Sequence, residues 1–337
     1  MSGTDIIKPL HGLRGGAALT VAIGHFEGLP GAAGLGVVLF FMLSGFLMGR
    51  LYLSTEPDPQ AIWRYCVARV ARVYPLFALV IVGTVAFNML FGADVFWITR
   101  DDIFAHLLLA GAGRTVWTIS VEFQFYGVFV LIWLASSRFA HASRLVIPLL
   151  IAATVATFAF GFDAGRIALV RYLHLFVAGL ALALLLDRDL ARWRRPAAIA
   201  LPLAGLAYAA VFLTFPWYGN TYWIHQGWTA MIACFALLFT SLVAGNCWAN
   251  RMLSWPVMFW LGEISFGLYL LHRHAEWIVD NVAVGMDPHF TWPFKIALSL
   301  LLAQIAYVAI EKPSRGYLRR LGLGLPKRMQ TLLAKEA

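Results

Sequence analysis

From Pro196 to Asn250 the sequence contains no Asp, Glu, Lys or Arg. A soluble domain does not run that far without a charge, whereas a bilayer-spanning helix needs only about 20 mostly apolar residues. The stretch is too long for one span and long enough for two, with Pro216-Trp217-Tyr218-Gly219-Asn220 supplying turn chemistry in its middle. Uncharged windows also occupy Gly28–Gly49, Val73–Ala93 and Leu145–Phe162, and Thr115–Ser137 holds a single charge, Glu122. Of the 337 residues 61% are hydrophobic and 13% charged, about half the charge of an ordinary soluble domain. A single soluble core cannot hide that much apolar surface. Disordered, collagen-like and disulfide-scaffold classes are excluded on the same grounds.

Pro9–Glu27, Ile167–Leu186, Ser254–Val279 and Phe294–Ile310 complete the set. The expected fold is an all-α integral membrane protein, a bundle of about ten transmembrane helices with a buried polar cavity, forming one domain over residues 1–337. Ile103–Gly113 is too short to cross and reads as a surface or re-entrant piece. The first apolar stretch carries Arg14 and has no small-residue cleavage site, so it reads as a retained helix. Cys66, Cys234 and Cys247 lack metal-site spacing and read as apolar filler.

An even number of spans puts both termini on one side. With the N-terminus cytoplasmic, 19 of the 26 Lys and Arg residues fall on cytoplasmic segments, including Arg64, Arg69 and Arg72, the cluster Arg188, Arg192, Arg194 and Arg195, and the tail from Lys312. The opposite loops hold mainly Arg100, Arg114, Arg166 and Lys295 among several aspartates. The net charge of +9 thus reflects membrane topology and needs no nucleic-acid partner; a basic tail beside a bilayer meets anionic lipid.

Ionisable residues inside spans are costly and point to function. Arg14 and His25 are eleven residues apart, which returns to nearly the same helical face about 16 Å further along. Snorkelling of the arginine and a satisfied core histidine are the bland alternatives. Glu122 has Tyr126 at i+4 and Ser120 and Gln124 nearby, with His25 as a plausible partner. Glu263, His272 and Glu311 add ionisable groups to the last two spans. Arg69 and Arg72 form an i, i+3 pair on a helix meeting the cytoplasmic interface. Two planar donor forks on one face suit phosphate, and positive-inside anchoring accounts for the same spacing. Phosphate-loop, dinucleotide-binding and His-Glu-x-x-His patterns do not occur. His106, His174 and His225 read as structural histidines.

The order of short motifs resembles the membrane acyltransferase 3 family. Leu10-His11-Gly12-Leu13-Arg14-Gly15-Gly16 followed by His25 is similar to its opening helix, and Phe40-Phe41-Met42-Leu43-Ser44-Gly45-Phe46-Leu47 to its second. Arg69-Val70-Ala71-Arg72-Val73-Tyr74-Pro75 is similar to its Arg-x-x-Arg element, and Trp117-Thr118-Ile119-Ser120-Val121-Glu122-Phe123-Gln124-Phe125-Tyr126 to its Trp-to-Tyr segment. Leu261 to His272 and Glu311-Lys312-Pro313 are similar to the last two helices. Glu263 and Phe123 depart from residues common in the family, leaving substrate contacts open.

The resemblance implies O-acyl transfer, of acetyl, succinyl or a similar group, from acyl-CoA to a hydroxyl of a cell-envelope or secreted glycan or other small acceptor, in a bacterial inner membrane. Acyl-CoA would be a donor substrate and not a resident cofactor, and no metal is implied. The chain is expected to be the membrane-only form, without a fused hydrolase-like domain. Arg14, Arg69 and Arg72 are expected to hold donor phosphates, His25 to act as general base, Glu122 to orient His25, and Tyr126 or Ser120 to donate to the oxyanion. A covalent acyl-His intermediate is the other chemical route. Competing readings are a transporter of a sugar or small amphiphile, which leaves the Arg-x-x-Arg element unexplained, and a noncatalytic partner in a glycan-assembly complex.

Overall fold

The computed structural model describes residues 3–26, 30–111, 113, 115–138, 143–160, 165, 167–186, 189–214 and 227–320. The turn expected at Pro216–Asn220, together with Arg114, Arg166, Arg188, His225 and the tail beyond 320, lies outside the described residues. Within them the regular structure is helical and contains no strand. The long helices are α1 (Gly3–Phe26), α2 (Pro30–Tyr52), α3 (Pro59–Phe91), α5 (Trp117–Ser136), α6 (Ser143–Phe160), α7 (Leu173–Leu185), α8 (Arg194–Thr214), α9 (Gly227–Ala244), α11 (Pro256–Val282) and α12 (Pro288–Ala306). Shorter pieces are α4 (Ile103–Leu107), α10 (Trp248–Leu253) and α13 (Lys312–Arg320), the last joined to α12 by a π-helical turn, Tyr307–Glu311.

Five helical stretches are long and apolar enough to cross a membrane: Ala33–Tyr52, Pro59–Phe91, Trp117–Ser136, Ala191–Thr214 and Phe290–Ser314. Their apolar side chains are not all turned inward. Leu203, Leu206 and Leu213 of α8 and Leu79 and Leu90 of α3 are exposed, as lipid-facing positions must be.

Helix α3 differs from its expected form. The basic segment before Val73 and the apolar window after it are one continuous helix that carries Pro75 in its interior. Pro59 occupies the first turn, where its missing N–H costs nothing, and Asp58 caps it by accepting from the Ala61 N–H at 2.8 Å. Arg69 and Arg72 therefore belong to the same rigid rod as the apolar window. The rod ends at Gly92, in the left-handed region at φ 63°.

Two parallel helix pairs set the frame. His11 stacks on Phe259 at 4.5 Å and His25 on His272 at 5.2 Å, so α1 and α11 run in the same direction. Helices α2 and α7 are also parallel, and they approach through glycines. A Cβ on Gly45 would sit 2.0 Å from the Phe176 carbonyl oxygen, and one on Gly179 would sit 2.1 Å from that of Met42. Small residues allow such approach where lipid offers no hydrophobic drive for helix association. Phe176 then stacks on Phe41 at 4.5 Å and on Phe125 at 4.1 Å, which locks α5 against both. This aromatic core holds Ser44 on α2 opposite Glu122 on α5.

Candidate active site

A cavity of about 770 Å3, counting its open mouth, lies between α1, α2, α3, α5 and α11. Arg14, Arg69, Arg72, Glu122 and Tyr126 all line it, alongside Ser44, Thr118, Phe266 and Tyr269. Helix α1 contributes Arg14, α3 the two arginines and α5 the carboxylate, so residues distant in sequence meet here. Three guanidiniums face one carboxylate.

The charges are not held alike. Glu122 accepts hydrogen bonds on one oxygen from the Ser44 hydroxyl at 2.8 Å and from the Tyr126 hydroxyl at 2.6 Å. Arg69 is 5% exposed, and its guanidinium carbon lies 5.9 Å from the ring centroids of both Tyr65 and Tyr126. Two aromatic faces stabilise a cation partly shielded from water. Tyr65 is itself fixed by donating its hydroxyl to the Tyr126 carbonyl at 3.2 Å. Nε of Arg69 has no hydrogen-bond partner among the described residues. Buried charged groups normally use their hydrogen-bonding capacity, so this nitrogen has a donor to spare.

His25 and Ser120 lie elsewhere. His25 stacks on His272 and does not line the cavity. The carboxylate of Glu122 engages Ser44 and Tyr126 instead of orienting this imidazole. Ser120 is buried away from the cavity, its hydroxyl 3.5 Å from the Gly111 carbonyl. Tyr126 lines the cavity, but its one proton is given to Glu122.

Tyr269 connects the two parts. Its hydroxyl donates to the Thr115 carbonyl at 2.6 Å, so the 2.6 Å contact with Thr118 must use the threonine proton. At its other end its carbonyl accepts from Nδ1 of His272 at 2.7 Å, since a carbonyl can only accept. His25, His272 and Tyr269 thus form a layer at one end of the cavity. Sequence reading missed Ser44, Thr118 and Tyr269 as site residues. All three sit within the quoted motifs, and none carries a charge that would single it out.

His106 is hydrogen-bonded through both ring nitrogens, to the Asp102 carbonyl and the Gly113 N–H, and His174 lies 3.2 Å from the Thr157 hydroxyl. All three cysteines are free, and the Cys247 sulfur accepts from the first turn of α10.

Apolar helices long enough to span, packed around a cavity lined by three arginines, define a membrane protein with a polar interior. The family described as acyltransferase domain matches residues 7–308, and the chain belongs to it. It is 25% identical to the putative peptidoglycan O-acetyltransferase YrhL of Bacillus subtilis, over 92% of this chain and 55% of the relative. It is 24% identical to a putative O-acetyltransferase of Staphylococcus aureus, over 92% and 57%, and 21% identical to the peptidoglycan O-acetyltransferase OatA of Listeria monocytogenes, over 92% and 56%. The chain thus spans little more than half the length of these relatives. No solved structure matches it.

Proposed function

We propose that the protein is a ten-span membrane O-acyltransferase, both termini in the cytoplasm, that moves an acetyl or similar acyl group from acyl-CoA to a hydroxyl of a cell-envelope glycan. The observation that carries this reading is the convergence of Arg14, Arg69 and Arg72 on one cavity holding a single carboxylate. Coenzyme A is a polyanion, and guanidinium forks match its phosphates in charge and geometry. The positive-inside distribution puts the basic start of α3 on the side where coenzyme A is available. The names of the relatives support a glycan acceptor.

In this mechanism the phosphates bind Arg69 and Arg72, with Arg14 across the cavity, and the thioester extends toward Tyr269. The acceptor hydroxyl oxygen attacks the thioester carbonyl carbon as His25 takes its proton. The carbon–sulfur bond then breaks, and the coenzyme A thiolate leaves with the proton returned by the imidazolium. Glu122 keeps Tyr126 and the Arg69 cation in place for the donor. Helices around the cavity keep bulk water from the thioester.

Calorimetric titration of the protein in lipid nanodiscs with acetyl-, succinyl- and longer acyl-CoA tests the reading. His25→Ala should keep saturable donor binding and lose transfer by about a hundredfold or more. Flux of a sugar with no dependence on any thioester would turn the reading into transport.

A further inference from the structure

A second cavity, about 410 Å3 with its mouth, lies at the far end of α11 and is lined by Asp94, Arg273, Glu276, Trp277, Asp280 and Asn281. We propose that it binds the acceptor as a neutral, hydroxyl-rich sugar ring. The inference rests on the transferase reading for the purpose of that sugar, but not for the binding itself.

The walls are fixed in advance. Asn88 donates to the Val95 and Ile98 carbonyls at 3.1 and 3.0 Å and accepts from the Val95 N–H at 3.1 Å, which pins the loop that carries Asp94. Trp277 packs against Phe87 and Phe91 with ring centroids 5.0 and 6.1 Å away, so its indole is held in place. A fixed aromatic ring with amide and charged groups beside it offers an apolar face together with donors and acceptors, as a sugar requires. Little ordering cost remains when such a ligand binds.

Charge pairing decides between a sugar and an ion. Glu276 is ion-paired with Arg273 on its own helix, and Asp280 lies 2.7 Å from Nζ of the buried Lys295 on α12. That leaves Asp94 as the one lining carboxylate without an ion pair among the described residues, too little for a metal cage, and paired cations do not attract a polyanion. The paired groups still have lone pairs and N–H groups to share with hydroxyls, which both donate and accept.

The location fits delivery of a hydroxyl. At 100° per residue, Phe266 and Tyr269 of the first cavity and Arg273, Glu276, Trp277 and Asp280 of the second fall within about a 100° arc of α11. Both cavities therefore open off one face of the helix, and His272 lies between them in height. His272 is one turn, about 6 Å, below Glu276. With its Nδ1 proton committed to the Tyr269 carbonyl, Nε2 carries a lone pair, and it is buried without a hydrogen-bond partner among the described residues.

The test uses the full chain in lipid nanodiscs and the N-acetylglucosamine disaccharide, followed by saturation-transfer NMR and, separately, by acetyl-CoA titration. Wild type should bind the disaccharide saturably. Glu276→Gln and Asp94→Asn should each weaken that binding by about tenfold, and both should keep wild-type donor affinity as proof of folding. Absence of sugar binding by wild type would overturn the proposal, as would binding that both variants retain. So would saturable calcium binding that these variants abolish while the sugar signal is unaffected. A flat donor titration with the sugar pattern intact would remove the transferase reading and leave this site standing.

Discussion

The two cavities along α11 treat charge in opposite ways. In the first, three guanidiniums meet one carboxylate, and Arg69 is buried between two tyrosine rings. In the second, Arg273 and Lys295 are each matched to a carboxylate of α11. Arg69 is the buried cation of the three, and a bound anion would add to its stabilisation. A set in which every cation is paired, with Asp94 as one further carboxylate, is stable empty and can recognise an uncharged guest. On the proposed reading, one end of the helix faces a charged substrate and the other a neutral one.

Replacing both Arg69 and Arg72 by alanine attacks the difference most directly. Two charge-assisted contacts at about 1.5–3 kcal/mol each amount to at least a hundredfold in donor Kd, read by calorimetry. Disaccharide affinity should not change, and a parallel loss would mean the cavities are not separate. Glu122→Gln should come next. It weakens the anchor of Ser44 and Tyr126 and removes the negative charge nearest Arg69, at about 1–3 kcal/mol of stability in a thermal unfolding series. Added acyl-CoA should restore part of that loss by binding only the folded state.

Lys295→Met sharpens the comparison from the other end. The Asp280 side chain is 47% exposed, so the pair is screened and contributes no more than about 1 kcal/mol. Sugar affinity should shift by about fivefold or less, with donor affinity constant. Ser120→Ala should do least, under about 1 kcal/mol of stability and no change in transfer rate, because its hydroxyl makes only a 3.5 Å contact outside both cavities. A large drop in rate would return Ser120 to the chemistry.

Charged residues inside apolar windows were the most legible part of the molecule. Arg14 and Glu122 stand out because burying them is costly, Arg69 and Arg72 by their i, i+3 spacing, and all four line one cavity. Less legible was the setting of the arginine pair. A basic segment before an apolar window resembles an interfacial helix, and only the structure shows one continuous helix, capped at Asp58, with Arg69 turned inward. Ser44, Thr118 and Tyr269 could not be chosen from sequence. Their partners are 78 to 154 positions away, and an uncharged hydroxyl gives no sign of which helix it will face. The expected Glu122–His25 pairing failed for the same reason. Depth along a helix can be counted from sequence, but the neighbour at that depth depends on which helices are brought together by close glycine contacts such as Gly45 against Phe176.

The parallel pairing of α1 with α11 also has a consequence for synthesis. Parallel neighbours cannot be joined by a short turn, and here some 230 residues separate the end of the first from the start of the second. At about 5–20 residues per second the first helix waits roughly 10–50 s for its partner. Throughout that interval a helix bearing Arg14 and His25 is in the bilayer without the surface that will cover it. Its early companions are α2 and whatever the insertion machinery provides. Chains truncated before α11 should accordingly be marked for degradation as unassembled membrane protein, however well their individual helices insert.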